Sequence, residues 1–256
     1  MRILLSLLLL LSGCVTNTNT VEQKIAPQIQ NCIWVNSEGK TLLVVNDLCI
    51  LNDSFYRIVA DRHDSLYLKK RFEIDFINPN RVLQRRVIHD YHTIFFPIRT
   101  ANEKSIFISG TEYYFVDSVP LLKEYSHEQQ KINFELVGSK VAYTKLFINS
   151  DTLDKFSFSM FENKPYYVSH QLLEKEYLQV IYSVLRTMNS SDLLACPRMD
   201  WADMPRAKLT IEENDRNRLS SEFTLCKHGV SPKMNILMSL LLNADQFGEK
   251  TVSVSK

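Results

Sequence analysis

Cysteine, histidine and acidic side chains are the groups through which this 256-residue chain could do chemistry, and a few of them stand close together in sequence. His89-Asp90-Tyr91-His92 sets two imidazoles and a carboxylate within four residues, donors that suit zinc. Extended backbone sends residues three apart to opposite faces, so only an irregular turn closes them on a metal, and solvated residues beside a strand are the expected reading. Cys226-Lys227-His228 places a thiol near an imidazole, the partner a thiolate nucleophile needs; consecutive spacing gives poor geometry, and an oxidising compartment favours a disulfide. Asp200-Trp201-Ala202-Asp203 could hold a cation or a sugar against Trp201, or could be a packed aromatic flanked by exposed acids. Lys69-Lys70-Arg71 with Arg81, Arg85 and Arg86 forms a basic region, suited to anionic headgroups or to guarding a sheet edge. The chain has no Gly-x-Ser-x-Gly elbow, His-Glu-x-x-His helix or Walker loop, which weighs against an enzyme without excluding one. No catalytic residue, metal or cofactor is assigned.

Cys14, the first of five cysteines, has a different setting. Arg2 precedes an apolar run from Ile3 to Leu11, the length of a signal-peptide core and about half the ~20 residues needed to span a bilayer. Leu11-Ser12-Gly13-Cys14 closes the run and resembles the lipobox of bacterial lipoproteins. That resemblance implies cleavage after residue 13 and fatty acylation of Cys14, palmitate included, as the mature amino terminus. Several acyl chains on one residue hold a bilayer stably where one does so marginally. Val15 stands where aspartate would be an inner-membrane retention cue. The expected location is therefore the cell envelope, lipid-anchored, at the outer membrane.

Without residues 1–13 the formal charge of +1 falls to about zero, because Arg2 leaves with the leader. A balanced chain is no general binder of nucleic acid. Aromatic content of 11% favours strands, and only 6 glycines argue against phosphate-cradling loops. Cys32, Cys49, Cys196 and Cys226 remain after Cys14 is lipidated; an even number in an oxidising space suggests two disulfides with three connectivities. Sequence locality selects Cys32 with Cys49 and Cys196 with Cys226, and buried thiols are the alternative for either pair.

The elements that must position these groups divide the chain in two. Residues 14–30 are a polar tether. From 31 to 116 about eight short strands separated by turn residues, such as Asn36 to Lys40 and Asn52-Asp53, predict a small antiparallel β-barrel or sandwich. Trp34 and the strand pair around Tyr56-Arg57-Ile58 and Ser65-Leu66-Tyr67-Leu68 resemble lipocalin-like domains of bacterial lipoproteins, which implies a carrier of a small apolar ligand. Residues 117–130 read as a connector. From 131 to 248 an α+β domain is expected, with three strands, a helix at 171–188 capped by Ser169, two strands, and a helix at 232–247 with Ser231 as cap, Pro232 in its first turn and Gly248 beyond its end. Along the third strand Phe156, Phe158 and Met160 alternate with Ser157 and Ser159, so one face is apolar. Residues 249–256 form a tail. The order β-β-β-α-β-β-α over 131–245 resembles an uncharacterised secreted domain of bacterial lipoproteins, which implies a fold and says nothing of activity.

The fold class expected is thus mainly β and α+β, a barrel or sandwich followed by about five strands and two helices. The expected function is a non-catalytic binding or structural module on the envelope, with the membrane as partner through Cys14 and an envelope protein or small apolar ligand as a further partner. An envelope hydrolase is the alternative from another class.

Overall fold

The computed structural model describes residues 29–62, 65–72, 92–121, 130–137, 142–159, 165–193, 206–213, 216–224 and 230–250. Eight strands close an antiparallel barrel in chain order: β1 (Cys32–Asn36), β2 (Thr41–Val45), β3 (Leu48–Leu51), β4 (Ser54–Arg62), β5 (Ser65–Phe72), β6 (Thr93–Asn102), β7 (Ser105–Ile108) and β8 (Thr111–Ser118). β8 pairs back onto β1, so no edge is left open. Tight turns set the register. Asn52 and Asp53 both have positive φ, at 52° and 63°, the type I′ geometry whose twist suits a two-residue hairpin. Asn36 Oδ1 accepts hydrogen bonds from the backbone N–H of Glu38 and Lys40 and holds the β1–β2 turn, where Gly39 sits at φ 78°.

A second, seven-stranded sheet has the order β14-β13-β9-β10-β11-β12-β15. Its strands are β9 (Gln130–Val137), β10 (Ala142–Asn149), β11 (Thr152–Ser159), β12 (Pro165–Leu173), β13 (Arg206–Glu213), β14 (Arg216–Thr224) and β15 (Gly248–Lys250). Helix α1 (Lys175–Thr187) joins β12 to β13, and α2 (Pro232–Leu242) joins β14 to β15. Each helix carries the chain from one side of the sheet to the other, which is why both lie across one face.

Three boundaries differ from expectation. Residues 165–173 are a strand, so Ser169 caps nothing and α1 begins at Lys175 after Glu174. The exposure of His170, Gln171, Leu172 and Leu173 alternates residue by residue, out and in, as in a strand, and the helical period takes over only from Tyr177. The second helix ends at Leu242, followed by a 3-10 turn at Ala244–Gln246. Gly248 is no helix cap: it opens β15, and a Cβ there would lie 2.3 Å from the Leu172 carbonyl oxygen. The Ser231 cap is present, its hydroxyl accepting from Met234 N at 3.2 Å behind Pro232.

One hydrophobic cluster crosses from barrel to sheet. Ile33, Leu43, Val45, Leu48, Ile50 and Phe55 on the outer barrel wall join Ile132, Phe134, Leu146, Ile148, Leu209 and both helices. This explains why β2 and β3, Thr41-Leu42-Leu43-Val44-Val45 and Leu48-Cys49-Ile50-Leu51, are buried along their whole length: one side faces the barrel interior and the other faces α2. It also explains why α2 carries apolar side chains on more than one side, since it lies between two layers. Phe247 joins the layers, stacked on Tyr177 of α1 with centroids 3.9 Å apart and 5.6 Å from Phe55 of the barrel.

Candidate functional site: an outward aromatic sheet face over two buried lysine clasps

In β11 the direction of the side chains decides what the second sheet presents. Leu153, Lys155 and Ser157 point toward the helices and are buried, whereas Asp154, Phe156 and Phe158 point away. The apolar face read from Phe156 and Phe158 is therefore the outer one, and a lysine faces the core. Burying an ammonium requires compensation. Lys155 Nζ donates to the Leu242 carbonyl at 2.5 Å and to Asp245 Oδ1 at 3.0 Å, with Asp245 fully buried. The cation thereby meets the carbonyl end of α2, where a positive charge is favoured. Ser157 lies 3.5 Å from the Thr144 hydroxyl.

The outer face is ordered in cross-strand rows. Val137, Tyr143 and Phe158 form one; Lys208, Glu135, Lys145, Phe156 and Val168 the next; Thr210, Asn133, Phe147, Asp154 and His170 the third; Glu212, Lys131, Asn149, Thr152 and Leu172 the fourth. Tyr143 and Phe158 sit with ring centroids 5.5 Å apart, and Phe147 meets Phe156 edge-on at 6.3 Å. Val137, Val168 and Leu172 are 47%, 42% and 52% exposed. Polar pairs are interleaved with the rings: Lys145, between Tyr143 and Phe147 on β10, bonds Glu135 at 3.2 Å and lies 5.2 Å from the Tyr143 ring centre, and Asp154, opposite Phe147, is 2.6 Å from His170. Apolar side chains gathered on an outward face mark contact surfaces.

A second clasp ties the barrel to the helical layer. Lys233, in the first turn of α2, donates to the Thr187 carbonyl at 2.6 Å and meets Asp117 Oδ2 of β8 at 2.6 Å and Asp192 Oδ2 at 3.5 Å. Its ammonium is buried while Asp117 is 41% exposed. Both clasps spend their charges on carbonyls and on one another, which fixes layers and leaves no poised acid, base or nucleophile in them.

The cysteine framework needs correction in its first half. Cys32 and Cys49 are free thiols. Val44 of β2 lies in register with Cys32 on one side and Cys49 on the other, so the two are separated by two strand spacings, roughly 9–10 Å, beyond the ~7 Å between Cα atoms that a disulfide bridges. Burial pushes the Cys32 thiol pKa up, a hydrogen bond with the Ser118 side chain opposes this, and the nearby Asp117 carboxylate adds to the rise. Burial alone pushes Cys49 far above the usual thiol range. Neither is an activated nucleophile. Cys14, Cys196 and Cys226 lie outside the described residues, as do His63, His89, Asp90, Tyr91, Asp200 to Asp203, Lys227, His228, Arg81, Arg85 and Arg86. His92 is described and exposed before β6. Among the described residues no three His, Cys, Asp or Glu side chains gather as metal ligands, and no helix is long and apolar enough to cross a membrane.

Inside the barrel, Trp34, Leu42, Val44, Cys49, Leu51, Leu66, Leu68, Ile98, Ile106, Ile108 and Tyr113 form a second core, each at most 8% exposed. The Trp34 Nε1–H is buried there with no partner among the described residues, and Tyr113 donates to Asn52 Oδ1 at 3.0 Å.

No family model, curated protein or solved structure matches the chain.

The Lys155 clasp, the Lys233 clasp and the outward direction of Phe156 were missed by sequence reasoning. The strict alternation of Lys155, Ser157 and Ser159 with three apolar residues was visible, but which side met the helices was not.

Proposed function

We propose that the chain is a lipid-anchored cell-envelope protein, held at the outer membrane through acylated Cys14, that acts as a non-catalytic binding or structural module and makes contact through the outer face of its seven-stranded sheet. The observation that carries this reading is the inverted polarity of β11, which buries Lys155 and turns Phe156 and Phe158 outward. A sheet face that bears its aromatics away from its own helices gains most when another surface covers it. The lipobox-like Leu11-Ser12-Gly13-Cys14 supports the anchor and the compartment. The two lysine clasps and the shared core support a rigid platform. The close burial of the barrel's interior side chains supports a packed body over a ligand carrier, and the satisfied clasps support a module over a hydrolase.

The test has two arms in the native cell. Labelled palmitate should enter the wild-type protein and not Cys14→Ser. A photo-crosslinking residue at Val168 should give discrete adducts, while one at Arg99 on the barrel wall should give none. Absence of label from wild type overturns the anchor, and a silent Val168 position overturns the contact surface.

A further inference from the structure

We infer that the aromatic part of this outer face is where two copies of the chain meet, sheet against sheet. The inference rests on the reading of that face as a contact surface and names its occupant.

Charge is the first argument. Across the face Arg206, Lys208, Lys131 and Lys145 stand among Glu222, Glu135, Glu212 and Asp154, and opposite signs are neighbours in register: Lys208 lies between Glu222 and Glu135, Glu135 beside Lys145, Glu212 beside Lys131. A surface with that balance has no net pull on an anionic lipid or a nucleic acid, which reward excess positive charge. Turned about a two-fold axis, it meets itself without a block of like charges, and an isologous interface requires such self-complementarity.

Size is the second. Strands β9 to β12 at ~4.8 Å spacing, with eight residues each at ~3.4 Å, give a footprint of about 500 Å² per copy. Two copies then bury about 1,000 Å², the lower bound for a specific association. Tyr143, Phe147, Phe156 and Phe158 would lie at its middle with Lys145 and Asp154 set among them in register, each charge already met by a neighbour on its own sheet, Glu135 or His170, so that neither enters the interface without a partner. Two aromatic faces so joined pack like a β-sandwich, ~10 Å apart. An interface of this size is weak in dilute solution. Anchoring both copies to one membrane raises their effective concentration and drives pairing where the protein resides.

The experiment is sedimentation velocity on the full chain carrying Cys14→Ser, from about 1 to 100 µM, the range in which a small interface of this kind associates. The expected result is a shift from monomer to twice the monomer mass as concentration rises. Phe156→Glu should weaken that association at least about tenfold, as loss of a buried interface aromatic does, with an unchanged circular dichroism spectrum, and Phe156→Leu should retain it. Val168→Lys, at a residue already 42% exposed, is the second probe should Phe156→Glu fold poorly. A wild-type chain that stays monomeric throughout, or a dimer indifferent to both Phe156→Glu and Val168→Lys, overturns the inference. Adducts at Val168 to another protein in a monomeric chain overturn only the second copy and leave the contact surface standing; a silent Val168 overturns both.

Discussion

Replacing Lys155 with methionine isolates the feature on which the sheet's orientation depends. The side chain keeps its length and loses its charge, leaving the Leu242 carbonyl without that donor and the Asp245 carboxylate, fully buried, without its cation. Removing one partner of a buried ion pair costs about 3–5 kcal/mol, because the remaining charge is desolvated without compensation. With a urea dependence of about 3 kcal/mol per molar for a chain of this size, the midpoint should fall by about 1–2 M. Asp245→Asn added to Lys155→Met should recover much of the loss, since the orphaned charge is gone. The assay is equilibrium urea unfolding followed by circular dichroism and by tryptophan fluorescence. A Lys155→Met midpoint within about 0.3 M of wild type would mean that the lysine is solvated, and would refute the burial argument along with the outward placement of Phe156.

Four further outcomes are expected. Lys233→Met should speed hydrogen exchange at residues 117–119 and 187–192 together, because one ammonium holds Asp117, Asp192 and the Thr187 carbonyl; change confined to α2 would contradict the clasp. Phe247→Ala should cost about 3–5 kcal/mol of stability, since it removes the ring that stacks on Tyr177 and meets Phe55 at a tilt; a loss below about 1 kcal/mol in chemical unfolding would show that the layers do not depend on it. Non-reducing peptide maps should find Cys32 and Cys49 unlinked, with Cys49 alkylated only after unfolding. For Cys49 the folded thiol titrates far above its ordinary 9.0, so its stabilising contribution is whole below pH 9.0 and declines above it, where the unfolded chain releases the proton first, by about 1.4 kcal/mol per pH unit. Wild type should therefore lose stability more steeply above that pH than Cys49→Ala, measured by urea midpoints; parallel slopes would contradict the burial of the thiol.

Much of the barrel was legible because its signals are local. Asn52-Asp53, Gly39 and alternating short apolar runs each fix a turn or a strand with the chemistry of two or three residues. The closed order of eight strands was not legible, because the β1–β8 pairing joins residues far apart in sequence. Strand β12 was hidden in part by Leu173, which falls in phase with Tyr177 and Val180 and lengthens the apparent helix by a turn. The disulfide expected between Cys32 and Cys49 followed from nearness along the chain, whereas in a meander residues of the first and third strands are held apart by the second. The candidate face depends on the same kind of long-range fact. Alternation in β11 showed that its two sides differ, and only Asp245, ninety residues on, decides that the side with lysine faces inward.

The direction of β11 is open to one direct measurement. Ser157→Cys and Phe158→Cys place a thiol on adjacent residues of one strand, and a register slip of one residue exchanges their faces. In the folded full chain carrying Cys14→Ser, maleimide labelling read by peptide mass spectrometry should modify Cys at position 158 rapidly and at 157 only after denaturation. Fast reaction at 157 with protection at 158 would turn the aromatics inward, and the contact surface proposed for this protein would be lost with them.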